Sequence, residues 1–280
     1  MTITAGIDVG TGVIKTVLFE VDGKETRWLA RRSLPLRQRD PLVLARESFD
    51  AVLKEAGLRE NEIDYIATTG EGEAVSFHTG HFYSMTTHAR GAIYLEPDAR
   101  GALDCGALHG RAIRTDERGK VLSYQMTSQC ASGSGQFLEN IARYLGISQD
   151  EIGPLSLQAD DPEKVSGICA VLAETDVINM VSREISTPNI LKGIHLSMAQ
   201  RLALLVKLCG ARDSVVLMTG GLARDMGLVQ ALKEDMVRQK IDADIRTHED
   251  SPFAGAIGAA LWGAFRHEKL AKLNQLAKAS

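Results

Sequence analysis

Residues 6–12 read Gly-Ile-Asp-Val-Gly-Thr-Gly, and this stretch decides the fold. It closes an apolar run over residues 3–9, which predicts a β-strand that ends in a glycine turn. A second strand is expected over residues 14–21, and Asp22-Gly23 then predicts a hairpin into a third strand. A glycine turn after a strand can present backbone N–H groups to phosphate oxygens without a side chain in the way. The stretch is therefore suited to binding a nucleotide.

The pattern of this stretch occurs a second time later in the chain. Asp104 ends a short strand and stands two positions before a glycine, as Asp8 does. Each aspartate is followed seven residues later by a basic residue, Lys15 in the first copy and Arg111 in the second. Aspartates at strand ends can hold hydrated Mg²⁺ or position a water molecule. The internal repeat therefore indicates two related halves.

A third glycine turn, Thr219-Gly220-Gly221, follows another buried strand and is suited to close over an adenosine. All three turns also have an ordinary explanation, since hairpins and helix starts often need glycine for a positive φ. Two copies of the strand-end aspartate, together with the late turn, favour a nucleotide-binding role over this ordinary explanation. The site belongs to neither the Walker A nor the Rossmann class, because the first strand is followed by neither glycine pattern.

The composition excludes several classes of protein. A chain of 280 residues predicts about two domains. With 32 Lys and Arg against 36 Asp and Glu, the net charge of −4 rules out a strongly basic nucleic-acid binder and a polybasic membrane anchor. The N-terminal segment lacks the features of a signal peptide, and there is no run of about 18 apolar residues. We therefore expect a cytoplasmic protein that binds neither nucleic acid nor a membrane.

The four cysteines form no C-x-x-C pair, which argues against a zinc or ferredoxin-type site built within one chain. Cys105 and Cys209 stand at positions typical of a core. Cys130 and Cys169 each precede a predicted amphipathic helix, and a helix N-terminus stabilises bound anions such as an iron–sulfur cluster. Two cysteines leave a four-cysteine cluster incomplete, so a second chain would have to supply the rest. Judged by spacing alone, all four cysteines are better explained as small hydrophobic residues of the core.

Taken together, the three turns resemble the phosphate-1, phosphate-2 and adenosine motifs of the actin, sugar-kinase and Hsp70 ATPase superfamily. This resemblance implies an α/β fold of two ribonuclease-H-like domains with a nucleotide cleft between them. The first domain is expected over residues 1–98, completed by a C-terminal helix at 264–280. The second domain is expected over residues 99–263 and would contain both candidate cluster cysteines.

The two cysteine segments resemble one branch of that superfamily more closely. Residues 128–139 read Ser-Gln-Cys-Ala-Ser-Gly-Ser-Gly-Gln-Phe-Leu-Glu, and residues 168–178 read Ile-Cys-Ala-Val-Leu-Ala-Glu-Thr-Asp-Val-Ile. Both are similar to segments of the 2-hydroxyacyl-CoA dehydratase activators and of the ATPase subunits of benzoyl-CoA reductase, as are residues 87–92 and 255–261. In that branch one [4Fe–4S] cluster bridges two ATPase subunits, with two cysteines from each. ATP hydrolysis there drives a low-potential electron into a partner enzyme.

The resemblance implies roles for particular residues. Cys130 and Cys169 would be this chain's two cluster ligands, and Asp8 and Asp104 would be the catalytic residues that hold Mg²⁺ and the attacking water. The residues that would bind ATP are Gly10, Thr11, Gly12, Val13, Lys15, Gly106, Ala107, Gly220, Gly221 and Pro252.

The second phosphate loop departs from the activator pattern. Activators usually read Asp-x-Gly-Gly-Gln-Asp there, whereas residues 104–109 of this chain read Asp-Cys-Gly-Ala-Leu-His. Leu108 and His109 therefore replace a glutamine and an aspartate, so this loop lacks the side chains of that pair. The replacement favours the smaller ATPase subunit of benzoyl-CoA reductase over a homodimeric activator.

We therefore expect an ATP-hydrolysing electron-transfer subunit of a benzoyl-CoA reductase, an oxidoreductase that acts in the reductive dearomatisation of benzoyl-CoA. Its expected partners are a larger homologous ATPase subunit, the subunits that bind benzoyl-CoA, and ferredoxin as electron donor. Two alternatives stay open: a homodimeric ATP-dependent activator of a 2-hydroxyacyl-CoA dehydratase, and a nucleotide-binding scaffold or sensor without electron transfer. A sugar or acyl kinase would leave Cys130 and Cys169 unexplained.

The histidines do not predict a metal site, because their spacings fit no helical pair of ligands. His78, His81, His88 and His109 are expected to be surface or loop residues, with His109 the one of interest near a phosphate.

Overall fold

The computed structural model describes residues 1–23, 25–127, 135–165 and 170–279. The chain divides into two compact units, Met1–Leu95 with Phe253–Ser280, and Glu96–Pro252. Strands and helices are numbered below in chain order.

The first unit contains a five-stranded mixed sheet of order β3-β2-β1-β4-β5. Its first three strands form an antiparallel meander, and the last two run parallel to β1 and β4 respectively. The strands are β1 (Thr2–Val9), β2 (Val13–Asp22), β3 (Glu25–Pro35), β4 (Tyr65–Gly70) and β5 (Gly80–His81). The helices are α1 (Pro41–Ala56), α2 (Ser84–Leu95) and α8 (Ala254–Ala279).

The second unit repeats this strand order as β8-β7-β6-β9-β10. Its strands are β6 (Ala99–Cys105), β7 (Gly110–Thr115), β8 (Val121–Met126), β9 (Ser214–Thr219) and β10 (Ala243–Arg246). Its helices are α3 (Gly135–Leu145), α4 (Gln149–Ser156), α5 (Ala170–Ser182), α6 (Thr187–Cys209) and α7 (Met226–Arg238). The strand order of the two units is the same, which agrees with the internal repeat in the sequence.

Side chains of β2 alternate between the two faces of the first sheet. Ile14 and Leu18 pack with α1, whereas Val17, Phe19 and Val21 pack with α8. This period of two is the signature of a strand that is covered on both faces. The core of the second unit is one cluster that includes residues of β6, β9, α6 and α7.

Several helix boundaries follow from capping residues. The side chain of Asp40 accepts a hydrogen bond from the backbone N–H of Leu42 at the start of α1, and Gly57 ends that helix with φ +69°. Gly146 has φ +73° and ends α3 in the same way. None of the helices in the described ranges is long and apolar enough to cross a membrane.

The helix around Pro188 differs from the prediction. The sequence pattern suggests that Pro188 ends one helix and that the next begins at Ser197. Instead α5 ends at Ser182, and Pro188 lies in the first turn of α6, which begins at Thr187. Proline is tolerated there because the first N–H groups of a helix have no partner within the helix.

The C-terminal helix also differs from the expected domain boundary. Residues 253–263 were expected in the second domain, but all of α8 belongs to the first unit. The reason is a close approach of backbones, since a Cβ on Gly6 of β1 would overlap the carbonyl oxygen of Ala256. Small residues in the first turns of α8 therefore let its backbone lie directly on β1.

Candidate functional site

The end of β1 carries the first candidate site. Asp8 lies opposite Lys15 in the register of β1 and β2, and Asp8 Oδ2 is 3.6 Å from Lys15 Nζ. Both side chains are buried. On the other side of Asp8, the parallel strand β4 places Thr69 beside it, followed by Gly70. A buried carboxylate at a strand end is thus held between a cation and a glycine turn.

The end of β6 has the same arrangement. Asp104 lies opposite Arg111 of β7, and Asp104 Oδ2 is 3.5 Å from Arg111 Nη1. The parallel strand β9 places Thr219 beside Asp104, followed by Gly220. The spacing of seven residues between aspartate and cation is therefore an in-register pair across a hairpin in both units.

A glycine with positive φ packs against each carboxylate. Gly70 has φ +68°, and a Cβ on it would stand 3.0 Å from Asp8 Oδ1. Gly220 has φ +84°, and a Cβ on it would stand 2.5 Å from Asp104 Oδ1. A side chain at either position would displace the carboxylate. Gly70 is a site residue that the sequence prediction missed, although a Thr-Gly pair follows a buried strand in both halves.

The remaining predicted ATP-binding residues lie in turns of one unit or the other. In the first unit, Gly10, Thr11 and Gly12 join β1 to β2, which begins at Val13. In the second unit, Gly106 and Ala107 follow Asp104, and Gly221 follows Gly220 with open space where a Cβ would stand. Pro252 lies in a short 3₁₀ turn, Ser251–Phe253. Their role in binding stays a prediction.

The turn after β6 is hydrogen-bonded to the start of α3. The backbone N–H of Gly106 donates to the carbonyl of His109 at 2.9 Å and closes the turn. The N–H of Gly135 donates to the carbonyl of Gly106 at 3.0 Å, and that of Gln136 donates to the carbonyl of Ala107 at 2.9 Å. The first two N–H groups of α3 therefore bind this turn, which sequence reasoning did not anticipate.

The cysteines divide as expected where the structure describes them. Cys105 and Cys209 are buried, which confirms that they are core residues. Burial raises the pKa of both thiols, and for Cys105 the neighbouring carboxylate of Asp104 adds to the effect, so both stay protonated. Cys130 and Cys169 lie outside the described residues, and their role as ligands stays a prediction. Within the described ranges, no three His, Cys, Asp or Glu residues are placed to hold a metal ion.

The expectation for the histidines was wrong for His88. It is buried in α2, whereas His78, His81 and His109 are half-buried. Burial lowers the pKa of His81, whose Nδ1 is 3.0 Å from Thr68 Oγ1. A polar residue in a helix gives no sign of burial when the helix is covered by another from a distant part of the chain, as α8 covers α2.

His88 lies close to the first candidate site. The position that a Cβ of Gly255 would take is 2.9 Å from His88 Nε2 and 2.9 Å from Asp8 Oδ2. The imidazole and the carboxylate therefore both lie against the first turn of α8, within the first unit.

The chain is similar to known proteins in both sequence and structure. The chain is 72% identical over 275 residues, 98% of each chain, to the D-subunit of benzoyl-CoA reductase from Thauera aromatica. It is 35% identical to the activator of lactoyl-CoA dehydratase from Anaerotignum propionicum, over 92% of this chain and 96% of that one.

The structure is similar to that of the activator of the 2-hydroxyisocaproyl-CoA dehydratase from Clostridium difficile with bound ADPNP. The TM-score is 0.86 with 27% identity, and the match covers 97% of both chains. This likeness confirms the predicted fold class, an α/β protein of two ribonuclease-H-like units. The family model described as the BadF/BadG/BcrA/BcrD ATPase family matches residues 5–263. The chain therefore belongs to the BadF/BadG/BcrA/BcrD ATPase family.

Proposed function

We propose that this ATPase is an electron-transfer subunit of a benzoyl-CoA reductase and couples ATP hydrolysis to the delivery of low-potential electrons. The observation that carries the assignment is the 72% identity to the D-subunit of benzoyl-CoA reductase over 98% of each chain. The identity to the activator of lactoyl-CoA dehydratase is half as high, at 35%.

The residues at the two strand ends fit ATP and Mg²⁺. Asp8 and Asp104 supply the carboxylate oxygens that Mg²⁺ prefers, either directly or through its water molecules. When bound, Mg²⁺ neutralises charge on the phosphates. Lys15 and Arg111 each form an ion pair with one of these buried carboxylates and hold it in place. An ionised carboxylate at a strand end can accept a hydrogen bond from water and orient it for attack on a phosphate.

The turns around the aspartates fit phosphate oxygens. Residues 10–13 join β1 to β2, and Gly106 and Ala107 begin the matching turn after β6. Backbone N–H groups in such turns bind anions without the conformational cost of long side chains. In this proposal Gly220, Gly221 and Pro252 lie against the adenosine part of ATP. His109 replaces the usual aspartate, so this chain has no second carboxylate in the loop over residues 104–109.

The two hydrogen bonds between the turn after β6 and α3 offer a route for coupling. They link Gly106 to Gly135 and Ala107 to Gln136 through backbone groups alone. In the sequence, α3 follows the Cys130 segment directly. A change in this turn when ATP is hydrolysed would thus be passed to the helix that follows a proposed cluster ligand.

Cys130 and Cys169 are the proposed ligands on this chain for a [4Fe–4S] cluster. Thiolates are the usual ligands of such clusters, and this chain offers half of the four that are needed. A larger homologous ATPase subunit would supply the other two. Ferredoxin would supply the electrons, and separate subunits would bind benzoyl-CoA and carry out the ring chemistry.

Anaerobic purification of the chain with its co-purifying subunits tests this assignment. We expect a brown complex with about four Fe per pair of ATPase subunits. Cys130→Ser or Cys169→Ser should remove the iron and leave ATP binding intact, whereas Cys209→Ala in the core should keep the iron. A colourless wild-type complex without iron, or iron that survives both serine changes, would contradict the assignment.

Coupling through α3 can be tested separately with Gln136→Pro. Proline in the first turn of a helix is tolerated but cannot donate the hydrogen bond to Ala107. We expect ATP hydrolysis to persist while the number of electrons delivered per ATP falls severalfold. Gln149→Pro, in the first turn of α4, is the matched control and should leave that ratio unchanged. Equal ratios in both variants would refute the coupling route.

A homodimeric activator of a 2-hydroxyacyl-CoA dehydratase is the second candidate, because a relative at 35% identity carries the name of an activator. Co-purification of a larger homologous ATPase subunit would select the reductase. A stable symmetric homodimer that activates a dehydratase would select the activator instead.

A further inference from the structure

Helices α2 and α8 pack unusually closely beside the first candidate site. A Cβ on Gly258 would overlap the carbonyl oxygen of Thr87, and a Cβ on Gly91 would overlap that of Ala254. Glycines at such contacts let two helix backbones approach more closely than side chains would allow. The segments 87–92 and 255–261, which no ATP-binding role explains, are therefore the contact between these two helices.

This contact is tied to the strand end that carries Asp8. Thr87 Oγ1 of α2 lies 3.0 Å from Thr69 Oγ1 of β4, and both residues are buried. Thr69 is the register partner of Asp8 in the parallel pair of β4 and β1. The hydroxyl pair thus places α2, and His88 with it, beside the end of β1.

His88 and Asp8 both lie against Gly255. His88 Nε2 and Asp8 Oδ2 each lie 2.9 Å from the position that a Cβ of Gly255 would take. Two atoms placed in this way are within reach of a direct hydrogen bond or of one bridging water. Lys15 also lies on the side of Oδ2 of this carboxylate, and Gly70 lies on the side of Oδ1. Gly255 is then required because any side chain would separate the imidazole from the carboxylate.

We propose that His88 is a positioning residue that holds the carboxylate of Asp8 in the orientation needed for ATP hydrolysis. The inference rests on the proposed role of Asp8 toward Mg²⁺ and water. A donor at Nε2 fixes the rotation of the carboxylate, and Lys15 alone, as a point charge on a flexible stem, does this less well. Removal of a group that orients a metal-binding carboxylate typically lowers metal affinity or activity ten- to a hundredfold.

The test compares His88→Leu, which removes the donor, with His88→Gln, whose amide can place an N–H near the former Nε2. In the complex with its co-purified subunits, His88→Leu should lower kcat for ATP hydrolysis about ten- to a hundredfold and raise the Mg²⁺ concentration needed for half-maximal activity. Equilibrium binding of ATP without Mg²⁺ should change less than about threefold, because Asp8 acts through the metal and water. His88→Gln should restore most of kcat.

His195→Leu is the matched control for the loss of a buried histidine. His195 is buried in α6 of the second unit, where its Nδ1 lies 2.8 Å from Ser156 Oγ. We expect it to lower thermal stability without a change in kcat or in Mg²⁺ dependence.

Three results would overturn the role of His88. They are a wild-type kcat in His88→Leu, equal losses in the leucine and glutamine variants, and a loss confined to KM. In each of these cases the wild-type complex still binds and hydrolyses ATP, so the proposed function stands. A wild-type complex that neither binds nor hydrolyses ATP would instead refute the proposed function, and the role of His88 with it.

Discussion

The two units repeat one design at their strand ends but differ in what surrounds it. Each places an aspartate opposite a basic residue across a hairpin and beside a Thr-Gly pair on a parallel strand. In the first unit, a buried histidine and two glycine-packed helices lie against the aspartate. In the second, the carbonyls of the matching turn accept hydrogen bonds from α3.

The units also differ in the connection that follows their third strand. Between β3 and β4 the first unit has one α-helix, α1, whereas the second unit has α3 to α6 between β8 and β9. Cys130 and Cys169 both fall in this longer connection. The two units therefore share the strand-end design, whereas both proposed cluster ligands fall in the second unit alone.

The largest expected effect concerns the repeat itself. Asp8→Asn and Asp104→Asn should each lower kcat for ATP hydrolysis about a hundredfold or more. The reason is that a neutral amide cannot offer Mg²⁺ the negative charge of a carboxylate. Asp22→Asn, at an exposed position in the β2–β3 hairpin, is the control and should have wild-type activity. Full activity in either of the first two variants would show that one copy of the repeat is only structural.

Close packing in the first unit should be the most sensitive to added volume. Gly258→Ala puts a methyl group into the backbone of Thr87, which cannot move aside, and we expect a loss of about 3 kcal/mol in the free energy of unfolding. Gly221→Ala in the second unit meets open space and should cost under about 1 kcal/mol. Urea unfolding of both variants measures the difference. Equal losses would mean that α2 and α8 can move apart to accept the methyl group at no cost in the free energy of unfolding.

The ion pairs of the two units should differ in strength. Lys15 is 9% exposed and Arg111 24% exposed, so loss of the lysine leaves a carboxylate in drier surroundings. Lys15→Met should therefore destabilise the chain by about 2 kcal/mol and Arg111→Met by about 1 kcal/mol. Both values are lower than the cost of breaking a fully buried ion pair, because each cation is partly exposed to solvent. Chemical unfolding at neutral pH tests this, and the reverse order would show that water reaches Asp8 more easily than Asp104.

The smallest effect concerns a polar contact in the second unit. Burial alone would raise the pKa of Asp225, but the neighbouring His195 and the backbone N–H groups of Leu228 and Gly227 lower it below the ordinary value. A lowered pKa contributes stability above the unfolded pKa of about 4, and this is lost as pH falls through the folded value. Asp225→Asn should cost about 1 kcal/mol at pH 7 and less at pH 3. A cost that does not depend on pH would assign the effect to packing.

Local chemistry explains why the sequence predicted the two strand-end aspartates and the hairpins that carry them. A short turn sets the register of an antiparallel hairpin, so a spacing of seven residues is enough to pair Asp8 with Lys15 and Asp104 with Arg111. The helix ends at Gly57 and Gly146 also depend on local chemistry, because glycine adopts a positive φ there without strain. Cys105 and Cys209 were recognised as core residues from their place in a strand and a helix.

Long-range packing explains what the sequence could not predict. Pro188 fits both the end and the start of a helix, and only the observed start of α6 at Thr187 distinguishes them. The hydrogen bond between Gly106 and Gly135 joins two residues that are far apart in the chain, and no local pattern predicts it.

The sequence by itself determined the repeated α/β design, its two aspartates and their paired cations, because these depend on contacts between near neighbours in the chain. Only the tertiary structure decided that His88 is buried and lies, like Asp8, against Gly255. Those three residues come from α2, β1 and α8. They are brought together by the close packing of two helices on a sheet, which depends on how side-chain volumes fit rather than on any local pattern.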